Sequence, residues 1–188
     1  MRLFLGSILG LLALLMPGYS EADEAGIRKG VLDYLAQQRF CMDSGLRRQD
    51  RRHWVDLEDA DGGKKARALE AAKVIEIGRK EPPASLYKDW AWVRVPDEAR
   101  QLFDEMDQLC FGRLELDKIE DFTIPAADAM GRIVSIVGYF YRVTNTPEWA
   151  RTEGVRKAFP ELEKAQSSVL KEEIKLVQTN RGWKYIPY

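Results

Sequence analysis

The sequence predicts a single α+β domain in which N-terminal helices pack on a twisted antiparallel sheet. Helical spacing of apolar residues dominates the first half, most clearly over residues 24–40 and 96–110. Segments rich in β-branched and aromatic residues dominate the last third. The connections between those segments have hairpin length, which is typical of an antiparallel sheet and not of a doubly wound parallel one.

Residues 1–22 have the layout of a secretory signal peptide. Arg2 supplies the positive charge, and the apolar run Leu3–Met16 is shorter than the roughly 20 residues that span a membrane. Cleavage fits after Ser20 or after Ala22, and we favour Ala22, which leaves 23–188 as the domain. An uncleaved N-terminal anchor is the alternative. The prediction is a periplasmic or secreted protein with no membrane span once the signal is removed.

The charge balance limits the kinds of partner. The formal net charge is −1, and 31% of residues are charged. A chain with this balance has no general electrostatic attraction to nucleic acid or to an anionic membrane. We therefore expect a protein partner or a small ligand in the cell envelope.

The chain has two cysteines, Cys41 and Cys110. In an exported protein an even count favours one disulfide, so we predict a Cys41–Cys110 bridge. Two buried free thiols are the alternative. No CxxC motif is present, which argues against a thiol oxidoreductase.

In the first two thirds of the chain we predict helices over 24–40, 64–80 and 96–110, and strands over 54–57 and 90–95. The end of the second helix, "VIEIG", fits a strand equally well. The helix over 96–110 has the clearest apolar stripe: Ala99, Leu102, Phe103, Met106, Leu109 and Cys110. If the disulfide forms, the C-terminal ends of the first and third helices should lie together.

In the last third we predict strands over 111–122 and 132–143, then a helix that starts at Thr146 as N-cap and bends or restarts at Pro160. The chain ends as strand, turn and strand, with Gly182 in the left-handed position of a loop over 180–182. This order is similar to the twisted sheet and helix of cystatin-type and nuclear-transport-factor-type folds. That similarity concerns the fold and implies no function.

Most catalytic and metal chemistries lack the residues they need. His53 is the only histidine, so a zinc site or a Ser-His-Asp triad has little to draw on. If Gly62 is aligned with the glycine of a calcium loop, Leu57 and Ala68 stand where the first and last ligands are required. We predict no metal, no cofactor and no catalytic residue. Paired carboxylates remain the one route to an enzyme, a hydrolase of cell-wall or sugar substrates.

Four arginines form a candidate basic patch at helical spacing: Arg47, Arg48, Arg51 and Arg52. Such a cluster binds phosphate or an acidic partner, or it pairs with the acidic residues that follow it.

Aromatic residues form the second candidate surface. The predicted partner-binding residues are Tyr139, Tyr141, Trp149, Trp183 and Tyr185. Within the strand over 132–143 both faces are apolar, and we expect Ile133 and Val137 in the core and Tyr139 and Tyr141 on the surface. Packing of all these rings in the core is the alternative. The sequence thus favours a non-catalytic binding protein, such as an inhibitor, an immunity-type protein or an envelope accessory factor.

Overall fold

The computed structural model describes residues 21–46, 53–78 and 89–187. Its α-helices are α1 (Glu21–Leu35), α2 (Gly62–Ala71), α3 (Glu153–Ala158) and α4 (Pro160–Ser167). Its strands are β1 (Arg39–Met42), β2 (His53–Asp56), β3 (Glu76–Gly78), β4 (Trp90–Arg94), β5 (Leu109–Phe122), β6 (Ala126–Ala127), β7 (Ile133–Thr144), β8 (Leu170–Thr179) and β9 (Gly182–Tyr185). Short 3-10 helices cover Asp97–Leu102 and Glu148–Arg151.

The long strands β5 and β7 form the centre of the larger sheet. The strand order is β1-β5-β7-β8-β9, and the two-residue β6 adds to one end of β7. Every pairing in this sheet is antiparallel. A second antiparallel sheet has the order β2-β4-β3. The predicted single α+β domain with a curled antiparallel sheet is confirmed.

Helix α1 covers one face of the larger sheet. Ile27, Val31 and Leu35 recur on one side of α1 and pack against alternate residues of β7 and β8. Gly30 allows this close approach, because a Cβ there would lie 2.9 Å from Leu176 Cδ1 and 3.0 Å from the Trp183 carbonyl oxygen. Helix α1 therefore packs closely on the sheet at Gly30, where a larger side chain would collide with β8 and β9.

A second core lies at the other end of the molecule, between α2, α3, α4, β4 and the start of β5. Phe111 on β5 is fully buried there, with its ring centroid 5.2 Å from that of Phe159 and 5.3 Å from that of Trp149. Val93 of β4 and Leu69 of α2 complete its centre. The smaller sheet and the short helices thus form one core.

The disulfide is confirmed between Cys41 and Cys110. The two cysteines face each other across the β1–β5 pairing. Sequence reasoning was wrong about their setting, because the first helix ends at Leu35 and residues 39–42 form a strand. The bridge links two strands and not two helix ends.

The helix predicted over 96–110 is wrong. Only Asp97–Leu102 are helical, as a 3-10 helix, and the chain then turns. Asp104 Oδ1 accepts hydrogen bonds from the backbone N–H groups of Met106 at 2.9 Å and Gln108 at 2.8 Å, a side-chain competitor for helix hydrogen bonds. Leu109 and Cys110 then begin β5. Pairing with β1, and not the helical spacing of the apolar residues, decides the conformation here.

The remaining elements follow the sequence more closely. The segment "VIEIG" ends as strand β3, which is the alternative that we gave for it. A new helix, α4, begins at Pro160, as predicted. Gly182 has φ +87°, which confirms its left-handed position, although it pairs with Thr179 and leaves only two loop residues. Thr146 does not cap a helix through its side chain. Its hydroxyl instead accepts a hydrogen bond from Gln166 at 3.2 Å.

Two sequence predictions fall outside the described residues. They are the signal peptide, apart from its last two positions, and the arginine patch. Helix α1 already begins at Glu21, so cleavage after Ala22 would remove its first two residues. In the described part of the chain, no helix is long and apolar enough to cross a membrane.

Candidate functional site

The burial of the β7 residues shows which of the strand's two apolar faces belongs to the core. Val137 and Tyr139 are fully buried and Tyr141 is 6% exposed, so the face under α1 is core. The expectation that Tyr139 and Tyr141 lie on an open surface is therefore wrong. Ile133, which we expected in the core, is 38% exposed at the end of the strand. Val137, Tyr139 and Tyr141 belong to the same core as the apolar side of α1, whereas Ile133 does not belong to it.

The hydroxyls of the two buried tyrosines meet one carboxylate. Tyr139 donates to Glu172 Oε2 at 3.0 Å, and Tyr141 donates to Glu172 Oε1 at 3.2 Å. Glu172 lies directly opposite Tyr139 in the β7–β8 pairing and is exposed to solvent. One acidic side chain at the rim of the α1-covered face is thus held by two donors from the core.

Two more tyrosines lie beside this pair. Tyr34 on α1 is partly buried and its ring centroid is 4.7 Å from that of Tyr185 on β9. Tyr185 is 42% exposed. We call Tyr34, Tyr139, Tyr141, Tyr185 and Glu172 the tyrosine–glutamate cluster. Its buried residues, Tyr139 and Tyr141, fix the carboxylate of Glu172, and Tyr185 is its exposed aromatic residue.

The electrostatic environment of the cluster is negative. Burial and the neighbouring Glu172 carboxylate raise the pKa of Tyr141 to about 12. The same two causes, in the same order, raise the pKa of Tyr139 and of Tyr34. After burial, the Glu172 carboxylate is the main cause that raises the pKa of all three hydroxyls.

Glu172 has no cationic partner among the residues that the structure describes. Its contacts there are the two tyrosine hydroxyls. Lys29 of α1 and Lys184 of β9 both contact Asp33. A carboxylate with two donors and no counter-ion keeps lone pairs for a further donor.

The other predicted aromatic residues separate into two places. Trp183 is buried under α1 in the same core as Tyr139 and Tyr141. Trp149 packs on Phe111 in the second core, so it does not belong to this site. The five aromatic residues proposed from the sequence therefore do not form one surface.

The opposite face of β7 is a mixed apolar and charged surface. The ammonium of Lys118 lies 4.8 Å from the centroid of the half-buried Phe140 ring, and that of Lys171 lies 5.9 Å from it. Lys171 also pairs with Glu120. Ile136 is 46% exposed on the same face. Because Lys171 is paired with Glu120 and Lys118 lies over the Phe140 ring, this surface gives weaker evidence for a binding site than the cluster does.

Cys41, Asp104 and Cys110 are the described residues whose possible ligand atoms come close enough to hold a metal ion. These atoms lie within 4.8 Å of one another. Both sulfurs belong to the disulfide, so neither offers the thiolate that a metal requires. The cleft beside them contains Arg39, which donates to the carbonyl oxygens of Gln101 and Phe103. This contact fixes the loop and does not define a metal centre.

Sequence reasoning missed Tyr34 and Glu172. In the sequence, Tyr34 lies at the helical spacing of Ile27 and Val31, which presents it only as part of the apolar side of the first helix. Glu172 alternates with Ile174 and Leu176, which place their side chains in the core. The sequence signal that could have identified Glu172 is a carboxylate at a strand position whose neighbours two and four residues on point into the core.

Comparisons with known proteins give no match, whether with protein-family models, curated proteins or solved structures.

Proposed function

We propose that this chain is an exported, periplasmic or secreted, non-catalytic binding protein that holds its partner at the tyrosine–glutamate cluster. The observation that carries the proposal is Glu172, an exposed carboxylate fixed by two core tyrosines and left without a cation among the described residues. Tyrosine and a preorganised polar group are typical components of binding sites. The disulfide is compatible with an oxidising compartment.

The arrangement of α1 on the sheet suits this function. Binding sites are more precise when their residues sit on helices and strands. Here Tyr34 comes from α1, Tyr139 and Tyr141 from β7, and Glu172 from β8. We retain the cystatin-type or nuclear-transport-factor-type arrangement as part of the proposal, since both place one helix against a curled antiparallel sheet.

The hydrolase alternative gains no support from the carboxyl groups with shifted pKa values. Hydrogen bonds from Lys184, Arg132 and Lys157 lower the pKa values of Asp33, Asp128 and Glu153. A general acid requires the opposite shift. We therefore do not propose hydrolysis.

The test is affinity capture from an extracytoplasmic extract with the wild-type protein and two variants, followed by mass spectrometry. Glu172→Gln keeps the shape of the side chain and removes its charge. Glu173→Gln is the matched control, because Glu173 is exposed on the other face of the same strand and lies opposite Gly138.

We expect wild type and Glu173→Gln to capture the same protein and Glu172→Gln to lose it. Equal capture by all three proteins would contradict the proposal, because the partner would then not depend on the cluster. Urea unfolding of each variant shows that lost capture does not come from lost folding.

A further inference from the structure

The cluster combines the features that recognise a side-chain cation. Glu172 offers one free side of each carboxylate oxygen, since each accepts one tyrosine hydroxyl. The ring centroids of Tyr34 and Tyr185 lie 4.7 Å apart, with Tyr34 partly buried and Tyr185 42% exposed. A carboxylate beside aromatic faces binds a positive charge by ion pairing and by cation–π attraction together.

The charged groups around the cluster do not already fill this role. Asp33, the neighbour of Tyr34, is neutralised by Lys29 and Lys184. Lys171, the neighbour of Glu172 in sequence, is paired with Glu120 on the other side of the sheet. Lys29, Lys184 and Lys171 are thus each paired with another acid, whereas the contacts of Glu172 among the described residues are the two tyrosine hydroxyls.

We infer that the cluster binds an arginine side chain of a partner polypeptide, an inference that rests on the proposed function. A planar guanidinium reaches both carboxylate oxygens with two parallel N–H donors, which matches a carboxylate whose two oxygens are each fixed by one tyrosine hydroxyl, Tyr139 or Tyr141. Guanidinium also stacks on tyrosine rings more readily than ammonium does. These two properties select arginine over lysine at this site.

The test uses the full folded protein and three small probes: the N-acetyl, N-methylamide derivatives of arginine, lysine and citrulline. Citrulline has nearly the shape of arginine without its charge. Binding is followed by amide NMR shifts as each probe is added, in wild type, Glu172→Gln and Glu173→Gln. The shifts should centre on Tyr34, Tyr139 and Glu172.

We expect saturable shifts with the arginine probe in wild type and Glu173→Gln, and affinity at least about tenfold lower in Glu172→Gln or with citrulline, which corresponds to about 1.4 kcal/mol. Equal binding of citrulline, or unchanged binding to Glu172→Gln, would overturn the inference. Equal binding of the lysine probe would overturn the choice of guanidinium.

The outcome is separable from that of the proposed function. If partner capture depends on Glu172 while the arginine probe produces no saturable shift, the binding function stands and the arginine inference fails. If capture does not depend on Glu172 and the probe does not bind, both fail.

Discussion

Replacing Tyr139 by alanine tests whether the tyrosines of β7 belong to the core. Tyr139 is fully buried and is the largest fully buried side chain of the described residues. Phe140, the next residue, points to the opposite face and is half-buried. The two aromatic residues therefore differ in face and burial while sharing one strand.

The magnitude follows from burial and from the hydrogen bond. Removing a buried aromatic side chain costs about 3–5 kcal/mol. Loss of the 3.0 Å hydrogen bond to Glu172 adds about 1 kcal/mol. We expect a total of roughly 5 kcal/mol for Tyr139→Ala, against roughly 1–2 kcal/mol for Phe140→Ala, whose ring leaves water only in part.

Urea unfolding measures this difference. A loss of that size shifts the midpoint by about 2 M at the slopes usual for small domains. Tyr139→Phe keeps the ring, should lose only about 1–2 kcal/mol, and provides a folded variant if Tyr139→Ala is too unstable to study. Equal losses of under 1 kcal/mol for Tyr139→Ala and Phe140→Ala would refute the assignment of this face to the core.

Three further predictions concern stability. Cys41→Ser should lower the free energy of unfolding by about 4 kcal/mol on the chain-entropy model, measured by urea unfolding against the oxidised wild type, and a loss below 1 kcal/mol would contradict the model. Gly30→Ala should lower the melting temperature because its Cβ meets backbone and side-chain atoms, whereas Gly154→Ala, with nothing within 4 Å, should not lower it. The hydrogen bond from Arg132 lowers the pKa of Asp128 to about 2, so its contribution is present above the ordinary value of 3.8 and is lost as pH falls towards 2. Arg132→Gln should flatten that part of the acid unfolding profile and raise the pKa of Asp128 in NMR titration, and an unchanged pKa would contradict the pairing.

The sequence was informative where local pattern and final structure agree. Residues with high β propensity predicted β4, β7 and the β8–β9 hairpin, and Gly182 predicted the turn between the last two. The pairing of Cys41 and Cys110 followed from the even number of cysteines and from the predicted export of the chain. These features depend on residues close together in the chain, or, for the disulfide, on a chain that has only two cysteines.

Sequence reasoning failed where a distant contact decides the conformation. Residues 103–110 have helical spacing, yet Leu109 and Cys110 pair with β1, some 70 residues earlier in the chain. In the same way, the exposure of Tyr139 depends on α1, which no local pattern places above the middle of β7. The candidate site was located only in part, because Tyr34 and Glu172 reach it from α1 and β8.

The chemistry of Glu172 separates a structural role from a binding role. Glutamine at this position can accept a hydrogen bond from one tyrosine hydroxyl and donate one to the other phenol oxygen, so each phenol keeps one hydrogen bond to this side chain and only one phenol O–H loses its acceptor. A purely structural cluster would therefore tolerate Glu172→Gln in every assay. A binding cluster would tolerate it in unfolding, within about 1 kcal/mol, and fail in partner capture. Because the charge of Glu172 meets no cation among the described residues, the fold gains little from the charge itself, and we expect its loss to appear in binding.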